Sequence, residues 1–293
     1  MTQVTRALLA AAIGAGVIAS SANANAQTFG TNDRRPFETT QNFGFELRFG
    51  PYVAAVDSEF TNVNPYQDIF GSPPNFTTQL PRVMASMQFE WQAVRLGPVA
   101  QLGLGVSLGY TSIIEKAPFT QMMTGTPNMW VRGSEETGLF IIPTTVHLVL
   151  RLDGLARHNR WVPLVPYIKA GLAYDFWWVS NGSGTAHQDV LNPDGSVATN
   201  ADGTPMRQDV VGGSLGWHAA LGLSLMLDTF EPRLARGWDQ QQGVNHSYLF
   251  FEYYFTDVAG FGGRPQLNVG NFSTAGGTNT PVGSWVAGLM LEF

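Results

Sequence analysis

The chain has 293 residues, a net charge of −6 and no cysteine, which excludes disulfide staples, thiolate metal sites and a lipid-modified cysteine. Only 13% of its residues are charged, against ~25% in ordinary globular proteins, while aromatics reach 12% and glycines number 33. A mildly acidic chain with few Lys and Arg argues against a nucleic-acid partner.

The chain opens like a secretory signal. Arg6 supplies a positive start, residues 7–19 form an apolar stretch, and Ala24-Asn25-Ala26 has the small-x-small pattern for cleavage before Gln27. Residues 1–26 are therefore expected to be a signal peptide, 27–42 a periplasmic N-terminal segment, and 43–293 a single domain. Beyond residue 26 no apolar run approaches the ~20 residues of a membrane-spanning helix, so any crossing must use strands.

Strand signals follow in order, as period-two alternation. In residues 43–49, Phe43, Phe45, Leu47 and Phe49 alternate with Glu46 and Arg48. In 83–93, Val83, Ala85, Met87, Phe89, Trp91 and Ala93 alternate with Ser86, Gln88, Glu90 and Gln92. The cleanest run, 102–110, sets Leu102, Leu104, Val106, Leu108 and Tyr110 against Gly103, Gly105, Ser107 and Gly109. Residues 137–152 are less pure: Phe140, Ile142, Val146, Leu148, Leu150 and Leu152 share one register, but Ile141 and Val149 fall with His147 and Arg151 in the other. In 164–178, Ile168, Ala170, Leu172, Tyr174, Phe176 and Trp178 oppose Lys169 and Asp175. Three further runs cover 214–228, with Trp217 and five leucines on one face and His218 on the other, 246–255, with Phe255 opposite Glu252, and 285–293.

Eight such segments predict an all-β fold, an antiparallel up-and-down transmembrane β-barrel with short periplasmic turns and long outer loops. The links alternate accordingly. Those at 97–98 and 153–163 are short, while 54–81, 113–136, 179–213 and 257–281 are long. The link 229–245 breaks the rule, and its residues 231–236 are expected to form one or two helical turns. With both ends in the periplasm, Tyr110, Trp178, Trp217, Phe255 and Trp285 fall near the outer rim and Phe43, Trp91 and Phe293 near the inner one, as two aromatic belts in membrane lipid require. A soluble sandwich also alternates, but its surface would carry more charge.

At this point the residues resemble the small bacterial outer-membrane β-barrels of the OmpA/OmpX type. The final stretch, with Trp285, Leu289, Leu291 and terminal Phe293 at alternate positions, looks like their C-terminal assembly signal, and the resemblance implies the barrel-assembly machinery as a partner. The stretch 216–225, followed by Asp228 and 243–252, is also similar to a largely uncharacterised outer-membrane barrel family of myxobacteria. The expected location is the cell outer membrane.

Eight strands leave a lumen that side chains can fill. By position along the strands, Arg48, Glu90, His147 and Lys169 come out at similar heights, with Glu252 slightly above. They are expected to form an internal ion-pair layer that plugs the barrel, because unpaired buried charges cost several kcal/mol each. Arg48 and Glu90 lie on neighbouring strands. A hydrated polar path is the alternative. His147, His218 and His246 fall on the inward register, but no HExxH, GxSxG or P-loop is present, so no catalytic residue, metal or cofactor is assigned. Asn192-Pro193-Asp194-Gly195 and Asn200-Ala201-Asp202-Gly203 predict one or two outer hairpins; calcium at Asp194 and Asp202 would lack ligands. The Gly- and Asn-rich residues 260–283 read as a mobile outer loop. The expected role is structural or surface-interacting, with the ligand unspecified; the alternative is a narrow channel or carrier for small solutes or apolar molecules.

Overall fold

The computed structural model describes residues 42–71, 81–121, 129–154, 156, 162–230, 232–261, 266–274 and 281–293. The expected signal peptide, and all of the expected N-terminal segment except Asn42, lie outside them. In chain order the strands are β1 (Phe43–Tyr52), β2 (Arg82–Leu96), β3 (Ala100–Gln121), β4 (Met129–Arg151), β5 (Leu164–Asn181), β6 (Gly184–Thr185), β7 (His187–Asp189), β8 (Arg207–Asp209), β9 (Val211–Met226), β10 (His246–Asp257) and β11 (Ser284–Glu292). Two α-helices, α1 (Pro65–Phe70) and α2 (Pro232–Gln242), lie in the links.

The eight long strands close on themselves. Each pairs antiparallel with the next, β5 pairs with β9, and β11 returns to β1. At the seam the Phe293 amide donates to the Phe43 carbonyl at 2.9 Å, and Gly44 stands opposite Glu292. Every ring strand therefore has a partner on both sides, which removes the exposed edge that an open sheet would carry.

Side chains alternate across this ring with the polarity of a soluble protein reversed. On β5, Ile168 and Leu172 are 56% and 57% exposed, whereas Tyr167 and Lys169 between and beside them are each 2% exposed. Two irregularities correct the sequence reading. A bulge between Trp91 and Val94 shifts β2 by one residue, so that Val94 and Leu96 continue the outward face in place of Ala93. The impurity on β4 has two causes: Val149 is buried inside the ring, and Ile141 belongs to an apolar cluster at one mouth.

The links differ more. Residues 113–136 are not a loop for most of their length; β3 and β4 continue pairing to Gln121↔Met129. Residues 182–210 form a branched hairpin. β7 and β8 make its stem, and two tight turns follow, each closed by an amide of Gly195 or Gly203 donating to the carbonyl of Asn192 or Asn200. Val190, Ala198 and Met206 join stem and turns through three backbone hydrogen bonds of 2.7–2.8 Å. The glycines sit at φ of 82° and 81°, where a Cβ would be strained. The helical turn expected in 231–236 is the longer α2, on the link between β9 and β10. We call that end of the barrel, where β1 starts and β11 finishes, proximal, and the opposite end distal.

Candidate functional site

The inward side chains fill the ring. Three cations, Arg48, Arg151 and Lys169, meet three carboxylates, Glu46, Glu90 and Glu252, all buried. Arg48 donates to Glu252 and, at 2.9 Å, to Gln88. Lys169 lies 2.7 Å from Glu252 and 3.0 Å from Glu46, and it donates to Gln88 at 2.8 Å. Arg151 reaches Glu90 at 2.7 Å and Glu46 at 3.1 Å. The Tyr167 ring is flanked by both Arg151 and Lys169, each 5.0 Å from its centroid, a cation–π arrangement.

Within this network each ion has a partner of opposite charge within contact distance, which makes its burial tolerable. Space for these long side chains comes from glycines on adjoining strands. A Cβ at Gly103 would lie 2.8 Å from the Glu90 carboxylate, one at Gly105 would lie 2.5 Å from the His147 ring, and one at Gly222 would collide with the Tyr167 ring. Small positions thus face large ones: Gly103 faces Glu90, Gly105 faces His147 and Gly222 faces Tyr167.

The expected residues are redistributed. Arg48, Lys169 and Glu252 touch directly, but Arg48 and Glu90 form no ion pair between them. Arg48 stands opposite Ser86, whereas Glu90 stands opposite Gly44, four residues nearer the proximal end, a displacement of ~13 Å along the strand. Counting residues from the rim overlooks the stagger that a closed sheet imposes. His147 lies outside the ion pairs: its Nδ1 is 2.9 Å from the Thr145 hydroxyl, and its ring is 5.5 Å from that of His218. Glu46 and Arg151, both on the inward register, supply the missing partners. Their signal was present, since an unmatched Arg and Glu on inward faces must find each other.

On the proximal side, Gln101 donates to Gln92 at 2.7 Å, Gln92 to Glu292 at 2.8 Å, and the Tyr248 hydroxyl to Glu292 at 3.0 Å. The distal mouth is covered by two links folded inward. Asp57 accepts from the first amides of α1, Tyr66 at 2.7 Å and Gln67 at 3.0 Å. Arg132 holds the end of that helix through the Ile69 and Gly71 carbonyls at 3.0 and 2.8 Å. Burial pushes the Tyr66 phenol up to about 12.

From the last outer link, the Val269 carbonyl accepts from Tyr52 at 2.5 Å, Gly270 accepts from the Ala55 amide at 2.7 Å, and Asn271 accepts from the Thr256 amide at 2.8 Å. Asn268 and Asn271 are fully buried. Residues 266–274 are therefore a packed cap and not a mobile loop, because Asn268 and Asn271 replace missing ladder partners at the strand ends.

The outward aromatics lie where the alternation puts them. Phe43 stacks on Phe89, Trp178 on Phe140, and Trp285 on Phe251, while Trp217 and Phe255 both pack on Phe272 of the cap, 5.6 and 5.5 Å away. Tyr110 and Trp91 project with 48% and 37% of their surface exposed. Trp285 and Leu289 also project outward from β11, and Leu291 shares their register. A ring that keeps its ions inside and its leucines outside suits hydrocarbon, and its backbone needs no outside partner.

The chain folds as a closed eight-stranded antiparallel β-barrel with an apolar exterior. No helix among the described residues is long and apolar enough to cross a membrane, and the barrel crosses with strands. No protein-family model and no curated protein sequence matches the chain. Among solved structures it is similar to Neisserial surface protein A, with 11% identity and a TM-score of 0.37 over 86% of this chain and 97% of that one. It is likewise similar to the outer membrane protein OprG from Pseudomonas aeruginosa, with 12% identity and a TM-score of 0.38 over 87% and 97% of the two chains.

His218 bonds the Thr256 hydroxyl at 2.9 Å rather than Ser214 or Ser224. Asp228, His246 and Ser247 adjoin one another, but the serine hydroxyl donates to Asp228 at 3.0 Å, as His246 Nδ1 does at 2.5 Å. No nucleophile faces an imidazole there. Asp194 and Asp202 each accept from the hydroxyl and amide of Ser196 or Thr204, at 2.6–3.0 Å, and so brace their own turns. Those hydrogen bonds hold both carboxyls below the usual aspartate range.

Proposed function

We propose that this outer-membrane barrel has a structural and surface-interaction role, with a lumen plugged by its own side chains and a binding surface made by the distal loops. In this reading the distal end faces outward, α2 faces the periplasm, and the two sets of outward aromatics sit at headgroup depth. Trp285, Leu289, Leu291 and Phe293 present the assembly signal to the barrel-assembly machinery. The reading rests above all on the three-cation, three-carboxylate network that links β1, β2, β4, β5 and β10 across the lumen. The branched hairpin supports the second half of the proposal. Leu191 at 62% exposure and Met206 at 40% stand on a braced scaffold beyond the ring, as an interaction surface requires.

Planar-bilayer recording tests the plug: the native barrel should show no steady conductance. Conductance that is present in the native protein and survives Arg48→Ala and Glu90→Ala would instead establish the narrow channel. Deleting residues 183–208 should abolish surface binding by whole cells while leaving the barrel's heat-shifted gel migration intact. Binding that survives the deletion removes the hairpin from the proposal.

A further inference from the structure

The turn that caps both branches of the hairpin occurs a third time at its root. In Asp194-Gly195-Ser196 and Asp202-Gly203-Thr204 the aspartate Oδ1 accepts from the amide and the hydroxyl two residues on. Asn181-Gly182-Ser183 repeats the pattern, with Asn181 Oδ1 accepting from the Ser183 amide at 3.1 Å and its hydroxyl at 2.8 Å. This third copy carries an amide where the other two carry a carboxylate, and all three of its residues are exposed.

That amide is set apart from the other asparagines of the hairpin. Gly182 follows it, with no Cβ to hinder the approach of its backbone nitrogen to the side-chain carbonyl carbon of Asn181. A turn of this kind curls the side chain back over the following peptide. The two donors on Oδ1 draw electrons from that carbon and stabilise the oxyanion that forms when it is attacked. Asn192 precedes Pro193, which has no N–H to give up, and Asn200 precedes Ala201, whose methyl crowds the approach. The side chains of Asn192 and Asn200 donate through Nδ2 to the hydroxyls of Ser196 and Thr204, at 3.0 and 3.1 Å.

We propose that Asn181 modifies itself, the exposed turn converting it to aspartate and isoaspartate without an enzyme. The Gly182 nitrogen bonds to Asn181 Cγ, and its proton passes through water to the departing Nδ2. The Cγ–Nδ2 bond breaks and ammonia leaves. The succinimide ring then takes up one water at either carbonyl, giving aspartate or isoaspartate with no oxidant or reductant. The aspartate product makes a third Asp-Gly-Ser turn with the same two donors. The isoaspartate product routes the chain through Cβ and disturbs the pairing of residue 181 with Gly184 and Thr137. Either product adds a negative charge where the hairpin leaves the ring. The inference depends on neither the plug nor a binding role for the hairpin.

Mass spectrometry of the purified full chain in detergent, aged at neutral pH and then digested, tests this. The peptide holding Asn181 should gain the mass of an amide-to-acid exchange, and electron-transfer fragmentation should find aspartate and isoaspartate at that position. Asn192 and Asn200 should stay intact over the same period. Gly182→Ala should slow the conversion severalfold. Ser183→Ala removes one donor and keeps the glycine, so it should slow conversion a few-fold to about tenfold, the worth of one hydrogen bond. Heat-shifted gel migration checks that each variant is an assembled barrel; should one fail to assemble, the comparison of Asn181 with Asn200 in the native chain still decides. An Asn181 that lasts as long as Asn200, or that converts at the native rate in Gly182→Ala or Ser183→Ala, overturns the proposal.

Discussion

Lys169 occupies the junction of the lumen network, with one ammonium between Glu46, Glu252 and Gln88. Removing it leaves two buried carboxylates dependent on Arg48 and Arg151. Lys169→Met should therefore cost about 3–5 kcal/mol of stability, the usual penalty for breaking a buried ionic set. Adding Glu252→Gln should recover part of that loss by restoring the charge balance. Urea unfolding in lipid vesicles, followed by tryptophan fluorescence, reads both; a neutral Lys169→Met would show that the network contributes nothing.

Gly222 tests packing at the same scale. Its missing Cβ is the space taken by the Tyr167 ring, so Gly222→Ala should destabilise by about 1–3 kcal/mol. Tyr167→Val in the same chain should relieve that cost, and additive losses in the same unfolding assay would refute the steric account. The residues that sequence pattern alone places inside are the ones found there, because alternation on a strand has only two outcomes. Which of them touch was not readable from the pattern. Arg48 meets Glu252 across the closing turn of the ring, and those residues are 204 positions apart.

Among the elements, the twin turns of the branched hairpin carry a pH signature. Asp194 and Asp202 hold their protons less tightly in the turn than in an unfolded chain. Their bracing is therefore fully present above the ordinary aspartate value of about 4 and is lost as pH falls through the lower value in the turn. Amide protection of Ser196 and Thr204 should fall in that acid window, and Asp194→Ala should remove the response at Ser196 alone. Protection that stays flat with pH would separate these carboxylates from turn stability.

The Asp-Gly pairs announce the turns because glycine accepts positive φ. The extension of β3 and β4 to Gln121 and Met129 was hidden, since those segments lose the lipid-facing alternation once they leave the ring. The cap was hidden for a related reason. Gly- and Asn-rich sequence looks mobile until one knows that strand ends with open hydrogen-bonding groups stand beside it.

At the scale of the whole molecule, closure is the organising event. Once β11 pairs with β1, the outward leucines face away from the lumen and the six ions of the network face one another. Phe293 helps to make that seam through its amide and carbonyl, and the proposed assembly signal places its ring outward. Phe293→Ser keeps the backbone bonds and removes the ring, so it should lower the fraction of chain that reaches the heat-modifiable form in cells while leaving the stability of refolded barrel nearly unchanged. Equal loss in both measurements would assign Phe293 to the seam instead of to assembly.

Sequence by itself determined the all-β class, the number of ring strands, which face of each strand is apolar, and the short and long alternation of most links. All of these follow from local periodicity and from the rule that a backbone in lipid must pair within the protein. Tertiary structure alone decided which charges neutralise which and the inward fold of the distal loops. Those depend on the stagger between strands far apart in the chain, and no periodicity within one strand records the height of its neighbour.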